Sequence, residues 1–211
     1  YSLGVTYVSN SGDIVLTASE FATGISARSI NEVIVLNSGD ITVTTEDDRA
    51  TGIYSLSNYK SAYINNSGDI TTVGGIGANG AGAAGNYGAT TINSGDISVT
   101  STYFYTLYNS YYGTYDYLGG WANGVAATSR FGGVATVINS GNVEVDAMTE
   151  GKGLIANTRY GNANISNYGD VTVSGQYVSA YGIYMQATSY DQARSSVLDG
   201  SFVISTGDVT A

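Results

Sequence analysis

The chain has 211 residues, a formal net charge of −10, 43% apolar and 11% charged residues, and no Cys, Pro or His. The apolar content excludes a compositionally disordered chain, and the absence of cysteine excludes disulfides and thiol chemistry. Seven cations against seventeen acids argue against nucleic acid or an anionic membrane surface as a partner, and no apolar run is long enough to span a membrane.

The first predicted element is a turn, NSGDI, at residues 10–14. It returns as NSGDI at 37–41, 66–70 and 93–97, as NSGNV at 139–143, as NYGDV at 167–171 and, weakly, as DGSF at 199–202. Successive turn glycines lie 27, 29, 27, 46, 28 and 31 residues apart. A period of 20 to 50 residues is typical of stacked repeats. We expect these glycines to supply the positive φ of a tight corner.

Each turn is followed by an I-x-V stretch such as Ile41-Thr42-Val43, which alternates apolar and polar residues as a half-buried strand does. A second motif, ATGI or a variant, begins about ten residues later, and a third apolar stretch leads back to the next turn. The pattern therefore predicts short strands separated by turns, repeated along the whole chain.

Stacked copies of this unit predict an all-β fold, a parallel β-helix or β-solenoid of six to seven coils of about 28 residues each. A right-handed coil is expected from the general preference for right-handed crossovers. We expect one domain over residues 1–211, forming a segment of a longer repeat protein.

Stacking places the recurring turn asparagines above one another, which predicts a ladder of side-chain amides bonded from coil to coil. Its members are Asn10, Asn37, Asn66, Asn93, Asn139 and Asn167.

The turn aspartates form a second predicted column, made of Asp13, Asp40, Asp69, Asp96 and Asp170. Because like charges one coil apart repel, these carboxylates must face solvent, bond turn N–H groups or share a cation. Calcium is the cation that such oxygens would hold, but the GGxGxD calcium repeat is absent. We expect no cofactor, with calcium as the alternative.

The step of 46 residues between turn glycines carries an insertion at residues 101–121 that is rich in tyrosine. Insertions in repeat proteins form loops on one face, often the binding face, and Tyr and Trp give rigid contact area. The alternative is a loop whose rings pack over the flank of the solenoid. The candidate contact residues are Tyr103, Tyr105, Tyr108, Tyr111, Tyr112, Tyr115, Tyr117 and Trp121.

The sequence has few of the residues that a catalytic site needs. The five arginines are scattered along the sequence, histidine is absent, and the aspartates fall where the turn repeats. A polysaccharide lyase or hydrolase needs paired carboxylates beside a cleft. We therefore expect no enzymatic activity and no metal site.

The N-S/Y-G-D/N-I/V turn with A-x-G-I downstream resembles the β-helical passenger repeats of autotransporter-type bacterial surface proteins and adhesins over about 200 residues. The resemblance implies export to the bacterial cell surface and a stiff stalk that displays contact loops. Its implied partner is a protein or glycan on a host or neighbouring cell.

Two other functions stay open at this stage. The first alternative is a subunit of an extracellular filament that self-associates end to end. The second is a carbohydrate-binding or polysaccharide-degrading β-helix. Filaments formed by this chain alone would favour the former, and binding to glycans that depends on the tyrosines would favour the latter.

Overall fold

The computed structural model describes residues 4–109, 114–177, 179–187, 202–205 and 209–211. Within these ranges the secondary structure is strand without helix, and parallel strands stack into a β-solenoid of about six turns. The predicted fold class, an all-β solenoid with parallel stacking, is confirmed.

Each of the first six coils gives one strand to each of three parallel sheets, and the described residues of a seventh coil add a strand to two of them. The strands of sheet 1 are Thr6–Asn10, Val33–Asn37, Ala62–Asn66, Ala89–Asn93, Ala135–Asn139, Ala163–Asn167 and Phe202–Ser205. The strands of sheet 2 are Ile14–Ala18, Ile41–Thr45, Ile70–Gly74, Ile97–Ser101, Val143–Ala147, Val171–Gly175 and Val209–Thr210. The strands of sheet 3 are Ala22–Ser29, Arg49–Ser57, Gly77–Gly85, Trp121–Ser129, Glu150–Thr158 and Ser179–Ala187.

Three corners join the sheets. The first corner is the NSGD turn between sheets 1 and 2, the second leads from sheet 2 to sheet 3, and the third leads from sheet 3 to sheet 1 of the next coil. Equivalent positions pair in register, for example Ile14 with Ile41 and Ile41 with Ile70. The sequence period of about 28 residues is therefore one lap of the chain.

The core fills the interior of the three sheets with short apolar side chains. Alternate residues point inward, and Val33, Val35, Ile41, Val43 and Ile53 have no exposed surface. β-Branched residues suit this site because they pack well on a pleated surface and restrict their own rotamers. Period-two alternation thus translates directly into an inner and an outer face.

The turn asparagines form a continuous hydrogen-bonded ladder along the first corner. From Asn10 to Asn139, each side-chain Nδ2 donates to the Oδ1 of the asparagine in the next coil, with N–O distances of 2.7–2.9 Å. The same Nδ2 donates to the carbonyl oxygen of the turn glycine two residues later at 2.6–2.7 Å. Both bonds satisfy polar groups that are buried from Asn37 onward.

The turn aspartates lie beside this ladder with exposed side chains that bond the backbone. Asp40 Oδ1 accepts the backbone N–H of Asp69 at 2.9 Å, and Asp69 Oδ1 accepts that of Asp96 at 2.8 Å. Asn142 continues the column, because its Oδ1 accepts the N–H of Asp170 at 3.2 Å. The repulsion between these carboxylates is therefore relieved both by exposure to solvent and by bonding to backbone N–H groups, as two of the three expectations state.

This geometry makes a prediction about calcium. Because the turn carboxylates from Asp13 to Asp96 already bond the next turn, we expect millimolar calcium or excess chelator to shift the thermal unfolding midpoint by less than about 2 °C. We also expect Asp69→Asn to preserve stability, because Asn142 shows that an amide oxygen serves equally well. Differential scanning calorimetry measures both quantities. A calcium-dependent rise in the midpoint that Asp69→Asn abolishes would contradict this account.

The turn glycines of the described residues do not adopt positive φ, so the conformational role expected of them from the sequence is wrong. Positive φ in the described residues occurs at other glycines, located at the second and third corners. A Cβ at Gly68 would lie 2.1 Å from the carbonyl oxygen of Gly39, and one at Gly95 would lie 2.1 Å from that of Gly68. Glycine is required there because consecutive turns stack with their backbones in close contact.

The glycines of the second motif are required for a different contact. A Cβ at Gly80 would lie 2.6 Å from Cγ2 of Ile97 and 2.5 Å from the carbonyl oxygen of Gly124. Gly52 meets Ile70 and Gly80 in the same way. The missing side chain lets the branched residue after the next NSGD turn fill the interior.

Candidate functional site

The Tyr-rich insertion forms an antiparallel hairpin at the second corner of the fourth coil. Its strands are Tyr105–Asn109 and Thr114–Leu118, with Tyr105 paired to Leu118 and Asn109 paired to Thr114. These strands form a separate sheet from those of the solenoid. Alternating polar and aromatic residues on both sides of the loop favour this pairing. The hairpin therefore stands apart from the three-sheet body.

The returning arm of the hairpin is fixed to the solenoid by backbone bonds. Gly119 and Gly120 adopt positive φ of 79° and 72°, a conformation that other residues rarely accept. Gly120 N donates to the carbonyl of Ile76 at 2.6 Å, and Gly120 O accepts from Ser101 Oγ at 2.6 Å and Thr149 N at 2.8 Å. The two glycines thus turn the chain sharply from the hairpin back into sheet 3.

The outgoing arm places its aromatic rings on alternate sides. Tyr103 and Tyr105 are 53% and 46% exposed, and their rings meet edge to face with centroids 5.0 Å apart. Phe104, between them, packs against Tyr177 with centroids 4.8 Å apart. Phe104 anchors the arm, while its two neighbours present their rings to solvent.

A cavity of about 440 Å³ opens at this arm, lined by Thr102–Thr106 and Met148. It contains two phenol hydroxyl groups, two threonine side chains and apolar surface from Phe104 and Met148. Such a mixture suits recognition of protein or sugar surfaces.

The predicted contact residues fall into separate places. Tyr103 and Tyr105 lie on the exposed arm. Trp121 is half-buried as the first residue of its sheet 3 strand, and its ring covers Gly77, where a Cβ would lie 2.6 Å from the indole. Tyr108 pairs with Tyr115 and Tyr117 with Thr106 in the hairpin register, although these side chains lie outside the described part. Tyr111 and Tyr112 also lie outside the described residues.

The insertion leaves the stacking of the coils intact. Asn93 and Asn139, which are separated by 46 residues, still bond at 2.8 Å. Ile97 pairs with Val143, and Trp121 pairs with Gly77, on either side of the insertion. The hairpin is therefore displayed by an uninterrupted scaffold.

Comparison with protein-family models, with curated proteins and with solved structures found no significant match. In the described ranges no helix is long and apolar enough to cross a membrane. The fold supports a structural repeat protein.

Sequence reasoning missed a second exposed aromatic row, which lies along the third corner. Tyr59, Tyr87 and Phe131 follow sheet 3 in successive coils, and each is more than half exposed. The backbone N–H of each donates to the preceding coil, as Phe131 does to Asn86 at 2.8 Å. The signal was present in the spacing, because an aromatic residue recurs two positions after each of these strands.

Proposed function

We propose that this β-solenoid is a stiff spacer of a bacterial extracellular or cell-surface protein and that its Tyr-rich hairpin makes adhesive contact. The partner is a protein or glycan on a host or neighbouring cell. One observation carries the proposal: a hairpin with exposed Tyr103 and Tyr105 projects from a solenoid whose ladder runs through the insertion unbroken.

Stiffness is supported by the way the coils are joined. Every pair of adjacent coils shares parallel strand pairing in the sheets, and the asparagine ladder adds a buried line of amide bonds. At about 4.8 Å per coil, six coils extend roughly 30 Å. A spacer of this kind holds a contact loop away from the surface that bears it.

An extracellular location is supported by composition. The chain lacks cysteine and carries a net charge of −10, which favours solubility and suits an exported β-solenoid. We assign binding rather than catalysis to the chain, because histidine is absent and the aspartates recur in the turns.

The test compares binding of three variants to immobilised glycans and to cell-surface protein fractions. In the first variant a short Gly-Ser linker replaces residues 103–118, in the second Tyr103 and Tyr105 become serine, and in the control Tyr87→Ser alters the third corner. We expect the first two to lose at least about tenfold in affinity, since aromatic anchors dominate such contacts. The control should bind like the parent, and all four proteins should keep their far-UV circular dichroism.

Equal binding by the linker variant and the parent protein would remove the hairpin from the proposed contact. Selective loss of glycan binding would favour a carbohydrate partner, and selective loss of binding to the protein fractions would favour a protein partner. Either loss supports the adhesive role.

A further inference from the structure

A cleft lies where sheet 3 turns into the third corner, in the fourth to sixth coils. Its volume is about 380 Å³, and its lining includes Thr128, Arg130, Phe131, Asn157, Arg159 and Gln186. That volume is within the range of small-ligand pockets and suits one or two sugar rings. These residues lie outside the Tyr-rich hairpin, so a ligand in the cleft would bind independently of the hairpin.

The third corner of the fourth coil is built to project its side chains. Gly132 and Gly133 adopt positive φ of 116° and 79°, and Ser129 Oγ donates to the carbonyl of Gly132. Gly133 also passes so close to Tyr87 that an added Cβ would lie 2.1 Å from the carbonyl oxygen of Tyr87. The tight turn leaves Arg130 and Phe131 on the outer surface of the corner.

Two arginines on adjacent coils line this cleft, and the Arg159 guanidinium lies 5.6 Å from the centroid of the Tyr160 ring. Arg130 N donates to Gly85 O at 3.0 Å and Arg159 N donates to Ser129 O at 3.1 Å, so the two residues occupy stacked positions. The ion pairs of the described residues are Arg49 with Asp48 and Lys152 with Glu150, which leaves both of these exposed guanidinium groups without an acidic partner there. Like charges at stacked positions destabilise each other, and an anion between them removes the penalty.

The distribution of charge over the solenoid also favours binding of an anion at this cleft. Every cation in the described ranges lies on sheet 3 or at the third corner: Arg28, Arg49, Lys60, Arg130, Lys152 and Arg159. The column of turn aspartates runs along the first corner instead. Of the described acids, Glu32 and Glu150 also lie on these elements, so sheet 3 and the third corner carry a net positive charge in a chain of net charge −10.

The uncharged lining supplies hydrogen bonds and a flat apolar surface. Thr128, Asn157 and Gln186 occupy paired positions in successive strands of sheet 3. Among the described residues, the Oδ1 atom of Asn157 is buried and has no hydrogen-bond donor. Phe131 leaves 54% of its surface exposed beside them. A hydroxyl-rich ring compound matches this set of groups.

We propose that this cleft binds an acidic sugar, a uronic-acid residue of a glycan. The carboxylate lies between Arg130 and Arg159, whose guanidinium groups match it with paired N–H donors. Ring hydroxyl groups bond the side chains of Thr128, Asn157 and Gln186, and the apolar face of the sugar rests on Phe131. An acidic peptide would satisfy the arginines, but it would not place the apolar face of a sugar ring against Phe131.

The test is isothermal titration of the intact chain with a uronic-acid disaccharide, with its carboxyl-reduced neutral analogue and with a short acidic peptide. We expect binding of the uronate with a Kd below about 10 mM. The reduced analogue and the peptide should each bind at least tenfold more weakly, since each offers only part of the complementary chemistry. Raising the salt concentration should weaken uronate binding.

Variants locate the site and separate it from the hairpin. Replacing Arg130 and Arg159 with glutamine, or Phe131 with alanine, should weaken uronate binding at least tenfold, while Arg49→Gln leaves it unchanged. The variant that lacks residues 103–118 should also bind the uronate normally. These positions are exposed, so unchanged circular dichroism and melting temperature are expected and are verified for each variant.

Three results would overturn the proposal. Absence of uronate binding at 10 mM removes the site, equal binding of the reduced analogue removes the role of the carboxylate, and tighter binding of the peptide replaces the sugar with an acidic protein segment.

Discussion

Replacing Asn66 with alanine is expected to lower the free energy of unfolding by about 3–5 kcal/mol. Asn66 is fully buried, its Nδ2 donates to Gly68 O and to Asn93 Oδ1, and its Oδ1 accepts from Asn37 Nδ2. Alanine makes none of these bonds. Two buried oxygens then lose their donor and the Asn37 amide loses one acceptor, in an interior that water does not reach.

The neighbouring Asn65 gives a matched control, because it has the same side chain in the same strand but points to solvent. Asn65→Ala should change stability by less than about 0.5 kcal/mol. Denaturant titration followed by circular dichroism measures both changes. Similar small losses for the two variants would show that the ladder bonds contribute little beyond their exchange with water.

The second large effect is expected at Gly80. A Cβ there would lie 2.6 Å from Ile97 and 2.5 Å from the carbonyl oxygen of Gly124, and neither contact is relieved by rotating a long side chain. We expect Gly80→Ala to cost about 3 kcal/mol or more, at the upper end of overpacking effects. Thermal and urea unfolding of the variant provide the measurement.

Gly82, two residues along the same strand, is the internal control. Its added Cβ would meet only Ala126 Cβ at 4.0 Å, which is ordinary contact, and its φ is not positive. Gly82→Ala should be neutral or stabilise the protein by up to about 1 kcal/mol, because alanine has less freedom in the unfolded chain. A comparable loss at both positions would mean that the repeat glycines serve the backbone rather than the packing of Ile97.

The stacking of the coils was predictable because a solenoid turns sequence period into spatial neighbourhood. Once NSGD marked the start of each lap, the positions of Asn37, Asn66 and Ile41 followed, and the register pairs them as the spacing implies. Alternation then separated inner from outer residues. The fold could be predicted because the NSGD turn and the apolar–polar alternation are both local patterns that recur in each coil.

Two features could not be predicted from the sequence in this way, the role of the turn glycines and the pairing within the insertion. The glycines of the turns were assigned a conformational role, whereas close approach of Gly39, Gly68 and Gly95 in neighbouring coils explains them. That contact exists only between laps. The insertion was expected as a loop, and its pairing of Tyr105 with Leu118 is a property of one copy, without a repeat to reveal it.

The cleft lined by Arg130 and Arg159 was also not predicted from the sequence. Arg130 and Arg159 looked scattered along the sequence, yet their separation of 29 residues is one lap, and each directly follows a sheet 3 strand. In a stacked fold, residues that share a phase of the repeat are neighbours however far apart they are numbered. Sorting charged residues by phase would have brought the two together.

The rung from Asn93 to Asn139 matches the others in length, although the chain between its ends is much longer. Contour length and rise along the axis are therefore uncoupled at the second corner. Insertions at this corner are free to diversify, lengthen or be exchanged while the stacked coils keep their spacing.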